Sequence, residues 1–290
     1  MNHQKIENRP KRIRLDQYVA NHLNTVSRAF AAKLISLGKV TINGTVVAKL
    51  SHKVNNQDKV AIDYDPTKPM VYESIELPVI YEDSDCVVIN KPTGILSHSK
   101  GAFNPEATVA SWLSNRLNGL SGERAGIVHR LDRGTSGVMI CAKNEAASKW
   151  LQKQFSSRKV KKTYIAIVSG QLKDKQAIID MPIERNPKKP QTFRVGVNGK
   201  PASTSYRVLS SNSKYSLVEL NPATGRTHQL RVHLSSLGHS ILGDSLYNGA
   251  PADRLYLHAL SLELTLPTRA RQTFKAELPK QFNNLIKNNG

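Results

Sequence analysis

The stretch His129-Arg130-Leu131-Asp132-Arg133-Gly134-Thr135-Ser136-Gly137 packs the most chemistry into the fewest residues. One carboxylate, Asp132, stands among two arginines, two hydroxyls and two glycines. Cations and hydrogen-bond donors at that range favour the charged form of a carboxylate. Such a group can act as a nucleophile or as a base. The same residues also suit a structural turn in which Asp132 simply pairs with Arg130 or Arg133. Gly126-Ile127-Val128 reads as a short strand before the stretch, and Val138-Met139-Ile140-Cys141 as a buried strand after it. Asp132 is therefore expected on a loop between two core strands, where catalytic side chains are commonly presented.

Three further stretches carry unusual residue combinations. Tyr81-Glu82-Asp83 is followed by Asn90-Lys91-Pro92-Thr93-Gly94, which fixes a turn after a buried strand. Lys162-Thr163-Tyr164 follows the basic run Arg158-Lys159-Val160-Lys161, and a cationic cluster beside an aromatic suits nucleic acid. Gly225-Arg226-Thr227-His228-Gln229-Leu230-Arg231 precedes Gly238-His239-Ser240-Ile241-Leu242-Gly243-Asp244 and Tyr247. His228 and His233 fit hydrogen-bonded structural roles better than metal ligation.

These stretches, in this order, resemble the motifs of RNA pseudouridine synthases of the large-subunit ribosomal RNA (RluA) type. The resemblance implies that Asp132 is the essential catalytic residue and that Arg130 helps to displace the target base from its stack. It implies that Tyr164 stacks under the uracil, that Leu230 packs against the base pocket and that Arg231 pairs with Asp132. Arg226 is a second candidate for contact with Asp132 or a phosphate, and His129 is counted with the substrate contacts. Lys161 and Lys162 are expected near the RNA. Lys91 is expected to be structural. Ser240 stands where the family commonly has proline. No cofactor and no metal are implied.

The elements that must position these residues fall into two parts. In residues 12–64, Leu15, Tyr18, Val19, His22 and Leu23 recur at helical spacing. Ser27 can cap a second helix whose apolar side is Phe30, Ala31, Leu34, Ile35 and Leu37, with Gly38 as its stop. Val40-Thr41-Ile42, Asn43-Gly44 and Thr45-Val46-Val47 read as a hairpin, and Val60-Ala61-Ile62 as a further strand. This order resembles the S4-type RNA-binding domain, and its basic residues Arg14, Arg28, Lys33 and Lys39 are expected to grip phosphates. Residues 65–73 read as a linker because prolines bar regular structure there. Residues 74–287 alternate short β-branched runs with helices such as Ala147–Phe155, predicting an α+β fold with a mainly antiparallel sheet flanked by helices. Residues 1–11 are polar and expected to be disordered.

Composition limits the function classes. Lys and Arg number 42 against 22 Asp and Glu, a formal charge of +20, which calls for a polyanionic partner. The partner expected is RNA, large-subunit ribosomal RNA foremost, with transfer RNA and a non-catalytic RNA-binding assembly factor as the alternatives. A glycosidase or nuclease would need a second carboxylate or a metal cluster near the site. The mean hydropathy of -0.40 and the short apolar runs speak against a membrane span. Cys86 and Cys141 lie in apolar runs and read as reduced core residues of a cytoplasmic protein.

Overall fold

A computed structural model describes residues 12–24, 26–65, 75–98, 106–120 and 124–287. Residues 1–11 and nearly all of the expected linker lie outside the described residues. The chain divides into two compact units, residues 1–73 with 99–106, and residues 74–98 with 107–290.

The first unit runs β1 (Ile13–Arg14), α1 (Leu15–Leu23), α2 (Arg28–Ser36), β2 (Val40–Ile42), β3 (Thr45–Val46), β4 (Lys53–Val54) and β5 (Val60–Ile62). The Ser27 hydroxyl accepts from the Phe30 amide and starts α2, as its position before the apolar repeat predicts. Asn43 and Gly44 both have positive φ, 52° and 81°, the backbone that a tight two-residue hairpin requires. Strands β3, β2 and β5 form one antiparallel sheet, and β1 pairs with β4. Leu15, Val19, Phe30, Ala31, Leu34, Ile35 and Val40 fill the core between helices and sheet.

The second unit contains β6 (Val79–Glu82), β7 (Cys86–Lys91), α3 (Val109–Leu113), β8 (Ser136–Ala142), α4 (Glu145–Ser156), β9 (Lys161–Ser169), β10 (Gln176–Asp180), β11 (Ile183–Arg185), β12 (Phe193–Val195), β13 (Ser203–Ser211), β14 (Tyr215–Pro222), α5 (Gln229–Ser236), β15 (Leu257–Thr265), β16 (Arg271–Lys275) and α6 (Lys280–Lys287). Nine of its strands form one sheet in the order β10-β13-β14-β9-β15-β8-β7-β6, with β16 also on β15. Every pairing in it is antiparallel except β15 with β8, where His258 faces Ser136 and Ala259 faces Gly137. This parallel seam joins two antiparallel halves directly after the Asp132 loop. A Cβ on Gly137 would lie 2.2 Å from the Ala259 carbonyl oxygen, so the seam closes only over glycine.

Strand β8 is buried along its whole length because both faces of the sheet are covered. Val138 and Ile140 pack under α4 with Ala147 and Leu151. Met139 and Cys141 point the other way, toward Trp112 and Leu113 of α3. Helices α5 and α6 cover β9 and β14 through Leu230, Leu234 and Phe282. Both cysteines are buried and free. Among the described residues, no helix is long and apolar enough to cross a membrane.

One expected element is missing. Residues 126–128 form a single bridge, Ile127 to Cys141, and no strand. The reason lies one turn on: the Ile140 amide donates to the His129 imidazole Nε2 at 3.1 Å. A side chain takes the place of the backbone partner, and the ladder stops there.

Candidate active site

The Asp132 loop is tied to the segment that follows β7. Gly94 N–H donates to the Arg133 carbonyl at 2.8 Å, and the Thr93 hydroxyl donates to the Gly134 carbonyl at 2.8 Å. The Ser97 hydroxyl donates to the Leu131 carbonyl at 2.8 Å and lies 3.0 Å from the Leu131 amide. Lys91 is fully buried, and its ammonium donates to the carbonyls of Pro92 and Ile95 at 2.8 Å and of Arg133 at 3.4 Å. Burial pulls the Lys91 pKa down to about 7, with the charge of Asp132 acting in the opposite direction. The structural role expected of Lys91 thus has a definite content: it staples the loop that carries Asp132.

Arg231, in the first turn of α5, approaches Asp132 from the other side. Its Nη1 is 3.4 Å from Asp132 Oδ2. Its Nε and Nη2 donate to the two carboxylate oxygens of Asp244, each at 2.7 Å. Burial disfavours the Arg231 charge, yet the bonds and charge of Asp244, backed by Asp132, raise its pKa. The guanidinium also lies 5.0 Å from the Tyr247 ring centroid, and the Tyr247 hydroxyl is 2.8 Å from His228 Nδ1. His228 Nε2 in turn stands 3.9 Å from Asp132 Oδ1. Ser240 donates its hydroxyl to the Tyr247 carbonyl at 2.6 Å.

A cavity of about 120 Å³ opens where these groups meet. Asp132, Tyr164, Leu230, Arg231, Arg130, Arg226 and Lys162 all line it. Sequence positions 99 residues apart are thereby brought to hydrogen-bond range. Burial first, then the Asp132 charge, raises the Tyr164 pKa, so its ring presents a neutral apolar face. Lys162 donates to the Thr224 carbonyl at 3.0 Å, and burial lowers its pKa to about 8.

Three of the expected residues have partners other than Asp132. His129 does not line this cavity: it stacks on Phe155 with centroids 4.4 Å apart and accepts from Ile140. Burial, then the nearby Lys162 charge, pushes its pKa down to about 3, so it serves as a neutral structural acceptor. Arg226 lines the cavity but bonds the Pro201 carbonyl at 3.0 Å and forms no ion pair with Asp132. Lys161 is outside the cavity, paired with Glu263 at 3.4 Å. In the first unit, Arg14 and Arg28 both bond Asp16, Lys39 pairs with Asp63, and Lys33 is exposed. His233 bonds Thr204 and the Met181 carbonyl, a structural role as expected.

Sequence reasoning missed Asp244 and Tyr247 as parts of the site. Both stood in a motif already singled out, but nothing in their spacing tied them to Arg231. Among the described residues, no group of three or more His, Cys, Asp or Glu could hold a metal ion.

Residues 85–236 match the family model described as RNA pseudouridylate synthase, and residues 13–60 match that of the S4 domain. The chain belongs to the RNA pseudouridine synthase family. It is an isomerase acting on uridine in RNA, with an S4 domain at its N-terminal side. An RNA pseudouridine synthase of Aquifex aeolicus is 36% identical over 94% of this chain and 92% of that protein. The ribosomal large subunit pseudouridine synthase D of Borreliella burgdorferi is 36% identical over 93% of this chain and 87% of that protein. Among solved structures, human RNA pseudouridylate synthase domain containing 4 aligns with a TM-score of 0.57 and 30% identity. That alignment covers 71% of this synthase and 90% of the human chain.

Proposed function

We propose that this synthase uses Asp132 as its reacting carboxylate and that its substrate is large-subunit ribosomal RNA. The observation that carries the assignment of Asp132 is its position: 3.4 Å from a buried guanidinium, in a cavity walled by an aromatic ring and a leucine. In the reaction the uridine N1–C1′ bond breaks, the freed uracil turns, and C5 bonds to C1′. The C5 hydrogen leaves as a proton and N1 takes one up, so atoms and electrons balance without a redox partner or cofactor. Asp132 acts either as nucleophile at C1′ or as base at C2′. Arg231 orients it. Tyr164 and Leu230 hold the detached uracil and keep water away from it.

The base must leave its stack to reach this cavity, and exposed Arg130 at its mouth is suited to fill the vacated space. The S4 unit supplies sequence-independent grip on phosphates. Ribosomal RNA is favoured because relatives at 36% identity, in Borreliella burgdorferi and Yersinia pestis, are named large-subunit ribosomal synthases. A cytoplasmic setting accords with two buried thiols left unpaired. Carbodiimide primer-extension mapping of RNA from cells lacking the protein tests the substrate. One or more large-subunit pseudouridines should vanish. Persistence of all of them, with loss of a transfer-RNA site, would overturn the ribosomal assignment.

A further inference from the structure

A second cavity of about 500 Å³ adjoins the first. Arg130, Lys162, Tyr164 and Arg226 belong to both, so the two share a wall. The larger cavity adds Arg158, and no Asp or Glu lines it. Its four cations are not neutralised from within. Lys162 and Arg226 rest on backbone carbonyls, which carry no net charge. Arg130 and Arg158 are exposed, and neither forms an ion pair among the described residues. Uncompensated positive charge lining a cleft concentrates anions. The cavity also has an aromatic wall in the stacked pair His129 and Phe155, whose centroids are 4.4 Å apart.

Cations together with an aromatic wall match a nucleotide: phosphate for the first, base for the second. The small cavity has room for little beyond a flipped base. A uridine held there brings a phosphodiester on each side, and the larger cavity, across the shared wall, offers the cations for one of them. On the reading that uridine occupies the small cavity, we propose that the larger one is a subsite for the nucleotide next to the target, with its phosphodiester held by Arg158 and Arg226. Residues of this subsite then read the backbone path beside the target, not the target itself. Their contact is one that a single neutral linkage removes.

The test uses the full-length protein and a fluorescent RNA hairpin whose loop has one uridine among cytidines. Affinity is measured for the all-phosphate RNA and for two RNAs with a methylphosphonate immediately 5′ or 3′ of the uridine. Wild type is compared with Arg158→Gln, which keeps the aliphatic stem and removes the charge. Arg158→Gln should weaken binding of the all-phosphate hairpin about fivefold and reduce the log–log salt slope by about 0.7. One methylphosphonate should weaken the wild type by a similar factor, and on that RNA Arg158→Gln should cause no further loss. Equal losses from Arg158→Gln on all three RNAs, or no loss on any, would overturn the subsite. A hairpin with cytidine in place of the uridine separates the two readings. If wild type discriminates against it while the Arg158 coupling is absent, the uridine pocket stands and the subsite falls. If the coupling is present without that discrimination, the phosphate subsite stands and the uridine pocket falls.

Discussion

Two arginine–aspartate clusters, one in each unit, are built with opposite proportions. In the S4 unit, buried Asp16 is held by Arg14 and Arg28, and Arg28 is 57% exposed. Two guanidiniums against one carboxylate leave one positive charge, and it faces solvent. In the catalytic unit Arg231 is 9% exposed and lies between Asp132 and Asp244, the latter fully buried. Two carboxylates against one guanidinium leave one negative charge, and it faces the cavity. The same residue types serve opposite ends. Surplus arginine at a surface grips phosphate and depends on salt. Surplus carboxylate in a buried site is suited to act as a reagent, with the arginine to hold it in place. The distances agree: Asp244 takes the short bonds at 2.7 Å, and Asp132 the longer one at 3.4 Å.

If that contrast is right, the largest effect should come from removing the buried anchor. Asp244→Asn cannot make two charge-assisted bonds, so Arg231 is free to move onto Asp132 or away from it. The turnover rate should fall about 100-fold with KM changed less than threefold, since misplacement of about an ångström has that scale of effect. Asp244→Glu should recover part of the loss. A stability change without a rate change, read by thermal melting beside kinetics, would assign Asp244 to folding alone.

Next in size is the staple beneath the loop. Lys91→Met leaves buried carbonyls without their donor, at a cost of about 2 kcal/mol, or a melting-temperature fall of roughly 4–8 °C. A pH signature accompanies it. The folded protein lowers the Lys91 pKa to about 7, against 10.5 when free. Between those values the unfolded chain binds more protons at this site, so this residue makes wild-type stability rise with pH. Lys91→Met should lose that part of the slope. Equal slopes in the two proteins would show that Lys91 is not the group responsible.

The smallest effect belongs to the exposed cluster. Arg28→Gln leaves Arg14 to hold Asp16, so the unit stays folded. It should weaken RNA binding about three- to fivefold and flatten the log–log salt slope by about 0.7, leaving the rate on saturating RNA within twofold. An unchanged salt slope would mean that this cluster is structural only and would remove half of the comparison.

The two clusters were unequally legible in the sequence. The Asp132 loop stood out because its composition is rare and local, and a local motif survives translation into structure. Helices α1 and α2, with the Asn43-Gly44 turn, were equally plain from periodicity and turn chemistry. Asp16 was overlooked because one of its arginines is twelve residues away. Asp244 sits inside a motif, yet its bond to Arg231 spans thirteen residues and a change of element. The strand expected before the loop failed for a different reason. Apolar residues at 127 and 128 fit a strand, but whether the neighbouring amide meets a carbonyl or an imidazole is decided by packing. For Arg226 and His129 the motif supplied proximity but not orientation: their bonds to the Pro201 carbonyl and to the Ile140 amide could not be read from it.

The claim at the centre of the contrast is that the surplus carboxylate is the reagent. Asp132→Asn tests it most directly, because it changes one atom and removes that charge. Tritium release from C5-labelled uridine RNA and RNA affinity should be measured on the same preparation. No detectable release is expected, with affinity within a few-fold of wild type. Release at the wild-type rate by this variant would contradict it.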